Sequence, residues 1–137
     1  MELQPETNES SQPRQLRILV VDDDLLVGRA LGRMLSPHKV TFAQSAAGAL
    51  ARVQAGGNYD AIVCDLLMPG MSGVQFHGEV VKYDPRVARR IIFVTGGCSS
   101  LEVAAFLERT ASPCLLKPFG RDALTSAVLA AASPARQ

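Results

Sequence analysis

The chain has no tryptophan, and aromatic residues of all kinds make up only 5% of its 137 residues. It has three cysteines, Cys64, Cys98 and Cys114, and no two of them form a CxxC pair. Cys64 and Cys114 lie in apolar, strand-like runs, where a cysteine behaves as a small hydrophobic residue. We therefore predict neither a disulfide nor a zinc site.

A charge excess and a long apolar segment are also missing. Lys and Arg number 14 against 13 for Asp and Glu, which gives a formal net charge of +1. Such a chain has no general attraction for nucleic acid or for an anionic membrane, so any charge that matters must be local. The first fifteen residues contain no basic leader with an apolar region, and no run approaches the ~18 apolar residues of a membrane span. These absences predict a cytoplasmic protein that binds neither nucleic acid nor membrane directly.

The length and the 47% hydrophobic content are those of one domain with a sizeable core. Residues 1–15 are polar, contain two prolines and show no periodicity, so they are predicted to be a disordered N-terminal tail. We place the domain at residues 16–133 and a short C-terminal tail at residues 134–137. The chain ends just past the last predicted helix, so no effector domain is expected after it.

Short apolar runs alternate with longer segments of helical period, which is typical of βα units and a parallel sheet. The five predicted strands are rich in β-branched residues and lack the polar alternation of a half-exposed sheet: Arg17–Val21, Lys39–Ala43, Ala61–Cys64, Ile91–Val94 and Cys114–Leu116. Five helices are predicted between and after them, near residues 27–35, 45–56, 72–82, from 99 onward, and 121–132. The fourth is expected to open with a capping box from Ser99 to Glu102. The predicted fold class is therefore α/β, with one doubly wound five-stranded parallel sheet.

Polar residues follow four of the five predicted strands: Asp22-Asp23-Asp24, Asp65, Thr95 and Lys117. In an open α/β sheet the ligand site lies beyond the carboxyl ends of the strands. Each residue alone has an ordinary structural interpretation, such as a helix cap or a surface charge. Together, however, Asp22, Asp23 and Asp65 should converge, and their mutual repulsion would raise their pKa values unless a cation intervened. Mg²⁺, which prefers oxygen ligands, is the predicted cation.

Four motifs of the chain resemble those of the receiver domain of bacterial two-component response regulators. They are VVDDD at residues 20–24, the stretch from Asp65 to Gly73, Thr95-Gly96, and Lys117-Pro118-Phe119. The resemblance covers residues 16–132. It implies a flavodoxin-like fold with the strand order 2-1-3-4-5. Lys117-Pro118 resembles a cis peptide bond of the family, but the sequence alone leaves both isomers open.

The resemblance also implies a role for each residue of the site. Asp65 is the expected phosphoryl acceptor, and Thr95 and Lys117 are expected to contact the phosphoryl group. Mg²⁺ is expected to be held by Asp22, Asp23, Asp65 and the backbone carbonyl of Leu67. Such a protein is a phosphorylation-dependent switch, whose surface changes around the fourth predicted helix and the fifth strand. It is not an enzyme beyond its own phosphorylation and the hydrolysis of its acyl phosphate.

The partners implied are a histidine kinase or a histidine phosphotransfer protein as phosphodonor, and an unidentified downstream protein. A weak homodimer is left open. Residues 106–119 are similar to receivers fused to hybrid histidine kinases, so both a free-standing receiver and one excised from a larger protein remain open. The sequence departs from the family at Cys114, where receivers commonly carry Tyr, Phe or His, and in the Gly96-Gly97 pair after Thr95.

Two other functions remain as alternatives. Haloacid-dehalogenase-type phosphatases also combine an Asp nucleophile with Mg²⁺, Thr or Ser, and Lys. Their DxDx(T/V) motif fits poorly, because Asp22-Asp23-Asp24-Leu25-Leu26 ends in Leu. The second alternative is an interaction module that kept the fold and lost phosphorylation. His38 and His77 have no acidic partner at ligand spacing, and we interpret both as surface or core residues.

Overall fold

The computed structural model of the protein describes residues 15–96 and 100–133. Its strands are β1 (Arg17–Val21), β2 (Lys39–Ala43), β3 (Ala61–Asp65), β4 (Ile91–Thr95) and β5 (Cys114–Leu116). Its helices are α1 (Leu25–Met34), α2 (Ala46–Gln54), α3 (Gly73–Tyr83), α4 (Pro85–Ala88), α5 (Leu101–Arg109) and α6 (Arg121–Ala132). The predicted tails, residues 1–15 and 134–137, lie outside the described residues except for Gln15. Gly97, Cys98 and Ser99 also lie outside them.

The strands form one parallel sheet in the order β2-β1-β3-β4-β5, which confirms the predicted fold class and strand order. Val21 of β1 pairs in register with Cys64 of β3, and Asp65 of β3 pairs with Val94 of β4. Because the strands are parallel and nearly in register, the residues that follow them emerge along the same edge of the sheet.

Helices cover both faces of the sheet, as the absence of polar alternation in the strands predicts. Leu19 and Val21 point to one face, where α2, α3 and α5 pack, and Ile18 and Val20 point to the other, where α1 and α6 pack. The apolar stripe predicted for the first helix is confirmed by the second cluster, whose members on α1 are Val27, Leu31 and Met34, with Leu35 just beyond its end. Each strand thus contributes side chains to two cores.

Short polar side chains define the beginnings of the helices. Ser72 caps α3 and exchanges bonds with Gln75 in a capping box that the sequence analysis did not identify. The capping box predicted at Ser99 and Glu102 is wrong in register, because Ser100 caps α5 by accepting the Val103 N–H at 3.1 Å. Glu102 instead lies in the first turn, where its charge complements the helix dipole.

The described residues form six helices rather than five. Asp84 and Pro85 were expected only to end the third helix, because a residue before proline avoids the α region. Asp84 does end α3, but its Oδ1 also accepts the Arg86 N–H at 2.9 Å and Pro85 occupies the first position of α4. The same two residues therefore act as a stop and a start signal. Within the described ranges, every helix is too short or too polar to cross a membrane.

Two glycines of α3 differ in what a methyl group would meet. A Cβ on Gly73 would lie 2.6 Å from the backbone oxygen of Asp65 and 2.8 Å from the Cα of Leu66, whereas a Cβ on Gly78 would meet nothing within 4 Å. The Gly73 N–H also donates to the Leu66 carbonyl at 2.9 Å. The beginning of α3 therefore packs directly against the backbone of the site strand, and only glycine leaves room for this contact.

We expect Gly78→Ala to raise the free energy of unfolding by about 0.5–1 kcal/mol, because alanine loses less backbone entropy in a helix. Gly73→Ala should lower it by about 1–3 kcal/mol, because backbone atoms must move to admit the methyl group. Urea unfolding of the two variants measures both effects. Equal changes in the same direction would contradict the close approach of α3 to β3.

Candidate functional site

Three carboxylates converge at the carboxyl edge of the sheet. Asp22 and Asp23 directly follow β1, and Asp65 is the last residue of the neighbouring strand β3. One carboxylate oxygen from each of the three lies within 4.8 Å of the others. Asp22 and Asp65 are buried, while Asp23 is exposed. The structure thus brings together the three aspartates that the sequence analysis proposed as metal ligands.

Asp22 is fixed by the turn that leads into α1. Its Oδ1 accepts the backbone N–H of Asp24 at 2.8 Å, and Asp24 in turn caps α1 by accepting the N–H of Leu26 at 2.9 Å. Only 4% of the Asp22 surface is exposed, and its Oδ2 is buried without a hydrogen-bond partner among the described residues. A buried carboxylate oxygen in that state is unfavourable, because nothing replaces the water that it lost.

Asp65 is held by the backbone on both sides. Its Oδ1 accepts the N–H of Leu67 at 3.2 Å, and its backbone carbonyl accepts the thiol of Cys64 at 3.2 Å. Gly73 packs against the same carbonyl from α3. The motif Asp65–Gly73 therefore folds back on itself, and Gly70, which follows Pro69, has the positive φ of 75° that the third residue of a type II turn requires. Gly73 and Cys64 are residues of the site that the sequence analysis did not single out.

Lys117 supplies positive charge to the cluster. It follows β5, and its backbone N–H donates to the Thr95 carbonyl at 2.8 Å. Its Nζ lies 3.7 Å from Oδ2 of Asp65 and 3.9 Å from Oδ2 of Asp22, and 32% of the side chain is exposed. The ammonium group therefore lies near both buried carboxylates at ion-pair distance. The peptide bond to Pro118 is cis, like the peptide bond of the family that Lys117-Pro118 resembles.

Thr95 ends β4 and is completely buried. It directly follows Val94, the register partner of Asp65, so the two site strands present Asp65 and Thr95 next to each other along the edge. Its position agrees with the sequence analysis. The Gly97 that follows it in the predicted loop lies outside the described residues.

Burial raises the pKa of both Asp22 and Asp65 above its usual value. For Asp22, the bond from Asp24 and the charge of Lys117 oppose the rise, while Asp65 and Asp23 add to it. For Asp65, the bond from Leu67 and the charge of Lys117 oppose it, and Asp23 again adds to it. One ammonium group thus does not fully compensate the cluster. Since the donors are oxygens and one is buried without a hydrogen bond, the cluster fits a hard divalent cation such as Mg²⁺.

Comparison with known proteins identifies the family to which this fold belongs. The family model for the response regulator receiver domain matches residues 18–129. The chain therefore belongs to the response regulator receiver domain family. Members of this family are signalling modules that work through phosphorylation, interact with histidine kinases and downstream effectors, and bind Mg²⁺ at an acidic aspartate cluster.

Individual relatives are similar over most of this chain. The transcriptional regulatory protein TcrA of Mycobacterium tuberculosis (strain ATCC 25618 / H37Rv) is 32% identical over 80% of this chain and 43% of its own length. The response regulator MprA of Mycobacterium sp. (strain KMS) is 34% identical over 80% of this chain and 47% of its own length. The solved receiver protein of Sinorhizobium medicae WSM419 has a TM-score of 0.76 at 26% identity, covering 90% of this chain and 98% of that one. The chain thus spans less than half the length of these two curated regulators.

The raised pKa of Asp22 predicts how stability depends on pH. Because the folded state binds this proton more tightly than the unfolded state, the group stabilises the fold below the unfolded value of 3.8. That stabilisation is lost as the pH rises through the folded-state pKa. In metal-free buffer at pH 7, Asp22→Asn should therefore be more stable than wild type by on the order of 1 kcal/mol. The difference should shrink toward pH 4.

Asp24→Asn is the matched control, because it removes a neighbouring charge and Asn still caps the helix. It should change the urea midpoint at pH 7 much less than Asp22→Asn does. Mg²⁺ should then stabilise wild type more than Asp22→Asn, since binding only to the folded state adds to stability. An Asp22→Asn variant that is less stable than wild type without metal would contradict the electrostatic interpretation.

Proposed function

We propose that this chain is a receiver switch in which Asp65 accepts a phosphoryl group from a phosphohistidine. The observation that carries the proposal is the convergence of Asp65 with Asp22, Asp23 and the Nζ of Lys117 at the open edge of the sheet. We assign the receiver unit to residues 16–133 and the site of action to the cytoplasm.

In the proposed reaction, the carboxylate of Asp65 attacks phosphorus. A phosphorus–oxygen bond forms as the phosphorus–nitrogen bond breaks, and the imidazole nitrogen keeps the bonding electrons. The Leu67 N–H and the Lys117 ammonium orient the Asp65 carboxylate from two sides. Phosphoryl transfer requires mainly such positioning and compensation of charge on the transferred oxygens, which Lys117 is placed to supply.

The metal ligands that we propose are Asp22, Asp23, Asp65 and the backbone carbonyl of Leu67. Mg²⁺ would contribute neutralisation of the negative charge on the carboxylates and on the incoming phosphoryl oxygens. Asp22 would gain most from the charge of the metal ion, because its buried Oδ2 accepts no hydrogen bond among the described residues and lies 3.9 Å from the Lys117 Nζ. The exposed Asp23 leaves the metal position open toward solvent.

Thr95 and α5 are proposed to transmit the change. A hydroxyl at Thr95 can donate to a phosphoryl oxygen on Asp65, and a charge-assisted bond of this kind exists only after phosphorylation. The chain passes from Thr95 to the beginning of α5 within a few residues. Cys114 of β5 is half-buried and pairs in register with Phe93 of β4. Its side chain is too small to transmit the change by moving between two positions, as an aromatic ring would. The altered surface would therefore involve α5 and β5, where Leu101 and Leu116 are exposed.

The proposed partners are a histidine kinase or a histidine phosphotransfer protein and a downstream protein. The name of TcrA describes a transcriptional regulator. We do not extend that role to this chain, because the match covers only 43% of the length of TcrA. The family match favours the switch over a haloacid-dehalogenase-type phosphatase. The intact Asp65, Thr95 and Lys117 favour it over an interaction module without phosphorylation.

We expect acetyl phosphate with Mg²⁺ to phosphorylate wild type on Asp65 and to leave Asp65→Asn unmodified, because an amide oxygen is not a competent acceptor. Intact-protein mass spectrometry should show a gain of one phosphoryl group, and EDTA should abolish it. Asp24→Asn is the matched control, since Asp24 is a nearby carboxylate engaged in capping α1. Labelling of Asp65→Asn to the wild-type extent would refute the assignment, and turnover of phosphate esters would support the phosphatase instead.

The surface beside the acidic cluster suits an apolar contact with the phosphodonor. Leu26 is 72% exposed on the first turn of α1, two residues after the cap Asp24, and Leu67 next to Asp65 is also exposed. Exposed leucines are common singly, but here two are exposed in the segments that directly follow the cluster aspartates: Leu26 after Asp23 and Leu67 after Asp65. Docking there would bring a phosphohistidine over Asp65.

Leu26→Asp should slow phosphotransfer from a histidine-containing partner about tenfold or more, since a charge would replace an apolar contact. Labelling by acetyl phosphate, which needs no docking, should stay unchanged. Leu129→Asp, a matched change at a half-exposed position of α6, should leave both rates near wild type. Equal slowing of both reactions by Leu26→Asp would show that position 26 does not act through docking.

A further inference from the structure

A cleft separates α3 and α4 from the C-terminal end of α5. It consists of two adjoining cavities of about 260 and 370 Å³, which share His77, Arg109 and Thr110 as lining residues. Their combined size is in the range of sites that hold small molecules. Arg89 and Ser112, which also line the cleft, precede β4 and β5, so the cleft lies at the amino ends of these strands. It is therefore at the opposite edge of the sheet from Asp65.

The charges in the cleft are of one sign. Arg89 and Arg109 line it, Thr110 and Ser112 add hydroxyl groups, and among the described residues no Asp or Glu lines either cavity. The C-terminal end of α5 contributes only about half a negative charge in partial form, which is less than the full positive charge of Arg109 alone. Because the whole chain has a net charge of +1, this local concentration is not a consequence of composition.

One wall of the cleft is aromatic. The His77 ring meets the Phe106 ring edge to face, with centroids 5.3 Å apart, and Phe93 lies behind both. The Arg109 guanidinium lies 6.0 Å from the centre of the Phe106 ring. Burial lowers the pKa of His77, so at neutral pH this ring is uncharged and is not a further cation. Val74 and Val81 extend the apolar wall.

We propose that this cleft binds a small, flat organic anion, with its ring against His77 and Phe106 and its carboxylate or phosphate group on the guanidinium group of Arg109. Arginine suits such an anion because its planar fork can donate two parallel hydrogen bonds to one carboxylate or phosphate. The site shares no residue with the phosphoryl-acceptor site. The proposal therefore does not depend on whether Asp65 accepts a phosphoryl group.

Amide NMR titrations can test the proposal with three probes. The flat anion 2-naphthoate should bind with a dissociation constant of about 1 mM or tighter. It should shift the amides of Thr110 and Ser112. The neutral analogue 2-naphthamide lacks the charge, and inorganic phosphate lacks the ring, so each should bind at least tenfold more weakly.

Arg109→Gln should weaken 2-naphthoate binding at least tenfold. Because Arg109 is exposed, the substitution should leave the fold intact, so unfolding would not explain the loss of binding. Arg52→Gln, which removes an exposed cation from α2, should leave binding unchanged, as should Asp65→Asn. The proposal is overturned if 2-naphthoate causes no saturable shift, if 2-naphthamide or inorganic phosphate binds equally well, or if Arg52→Gln weakens binding as much as Arg109→Gln. A loss of binding in Asp65→Asn would also overturn the independence of the two sites.

Discussion

The burial of Asp22 beside Asp65 is the constraint on which this structure depends. Two unit charges within 4.8 Å repel by roughly 3–4 kcal/mol at an effective dielectric constant of about 20. The Nζ of Lys117 lies 3.7 Å from Asp65 Oδ2 and 3.9 Å from Asp22 Oδ2, so its attraction opposes that repulsion. What it does not offset is the loss of water, which is the largest cause of both raised pKa values. The largest unfavourable contribution to the charged cluster is therefore desolvation, which direct coordination of a metal ion by the carboxylates would relieve.

The fold holds this unfavourable arrangement by surrounding it with well-packed backbone. β1, β3 and β4 are buried on both faces, and α3 approaches the end of β3 so closely at Gly73 that a Cβ there would collide with the Asp65 carbonyl. A domain of this size has a net stability of only about 5–15 kcal/mol, so a cost of a few kcal/mol at one edge is a considerable fraction. Sites with perturbed carboxylates are retained in this way where they have a function.

Much of this could be predicted because the relevant signals are local. Continuous β-branched runs placed the strands within one residue of their observed ends, and parallel pairing then put Asp65, Thr95 and Lys117 at one edge without any distance being known. The errors arose where one local signal has two meanings. Asp84-Pro85 ends one helix and begins another, and two adjacent serines, Ser99 and Ser100, offered two registers for one cap. The close approach of Gly73 and the unbonded Oδ2 of Asp22 depend on tertiary packing, which no sequence window contains.

The two sites that we propose are connected by one helix. α5 begins a few residues after Thr95, which belongs to the proposed phosphoryl-acceptor site, and ends at Arg109 in the cleft, nine residues or about 13 Å further on. Phe106, in the last turn of α5, contacts the rings of His77 and Phe93, so a ligand against His77 and Phe106 contacts the element that Thr95 is proposed to move. If the two positions of α5 bind such a ligand with different affinities, phosphorylation must change that affinity, and the ligand must change the equilibrium of α5 by the same factor. Equal affinities would leave the sites uncoupled, however tightly each binds. The sign and size of the coupling thus depend on the position of Arg109 and Phe106 in the two states and not on the distance between the sites.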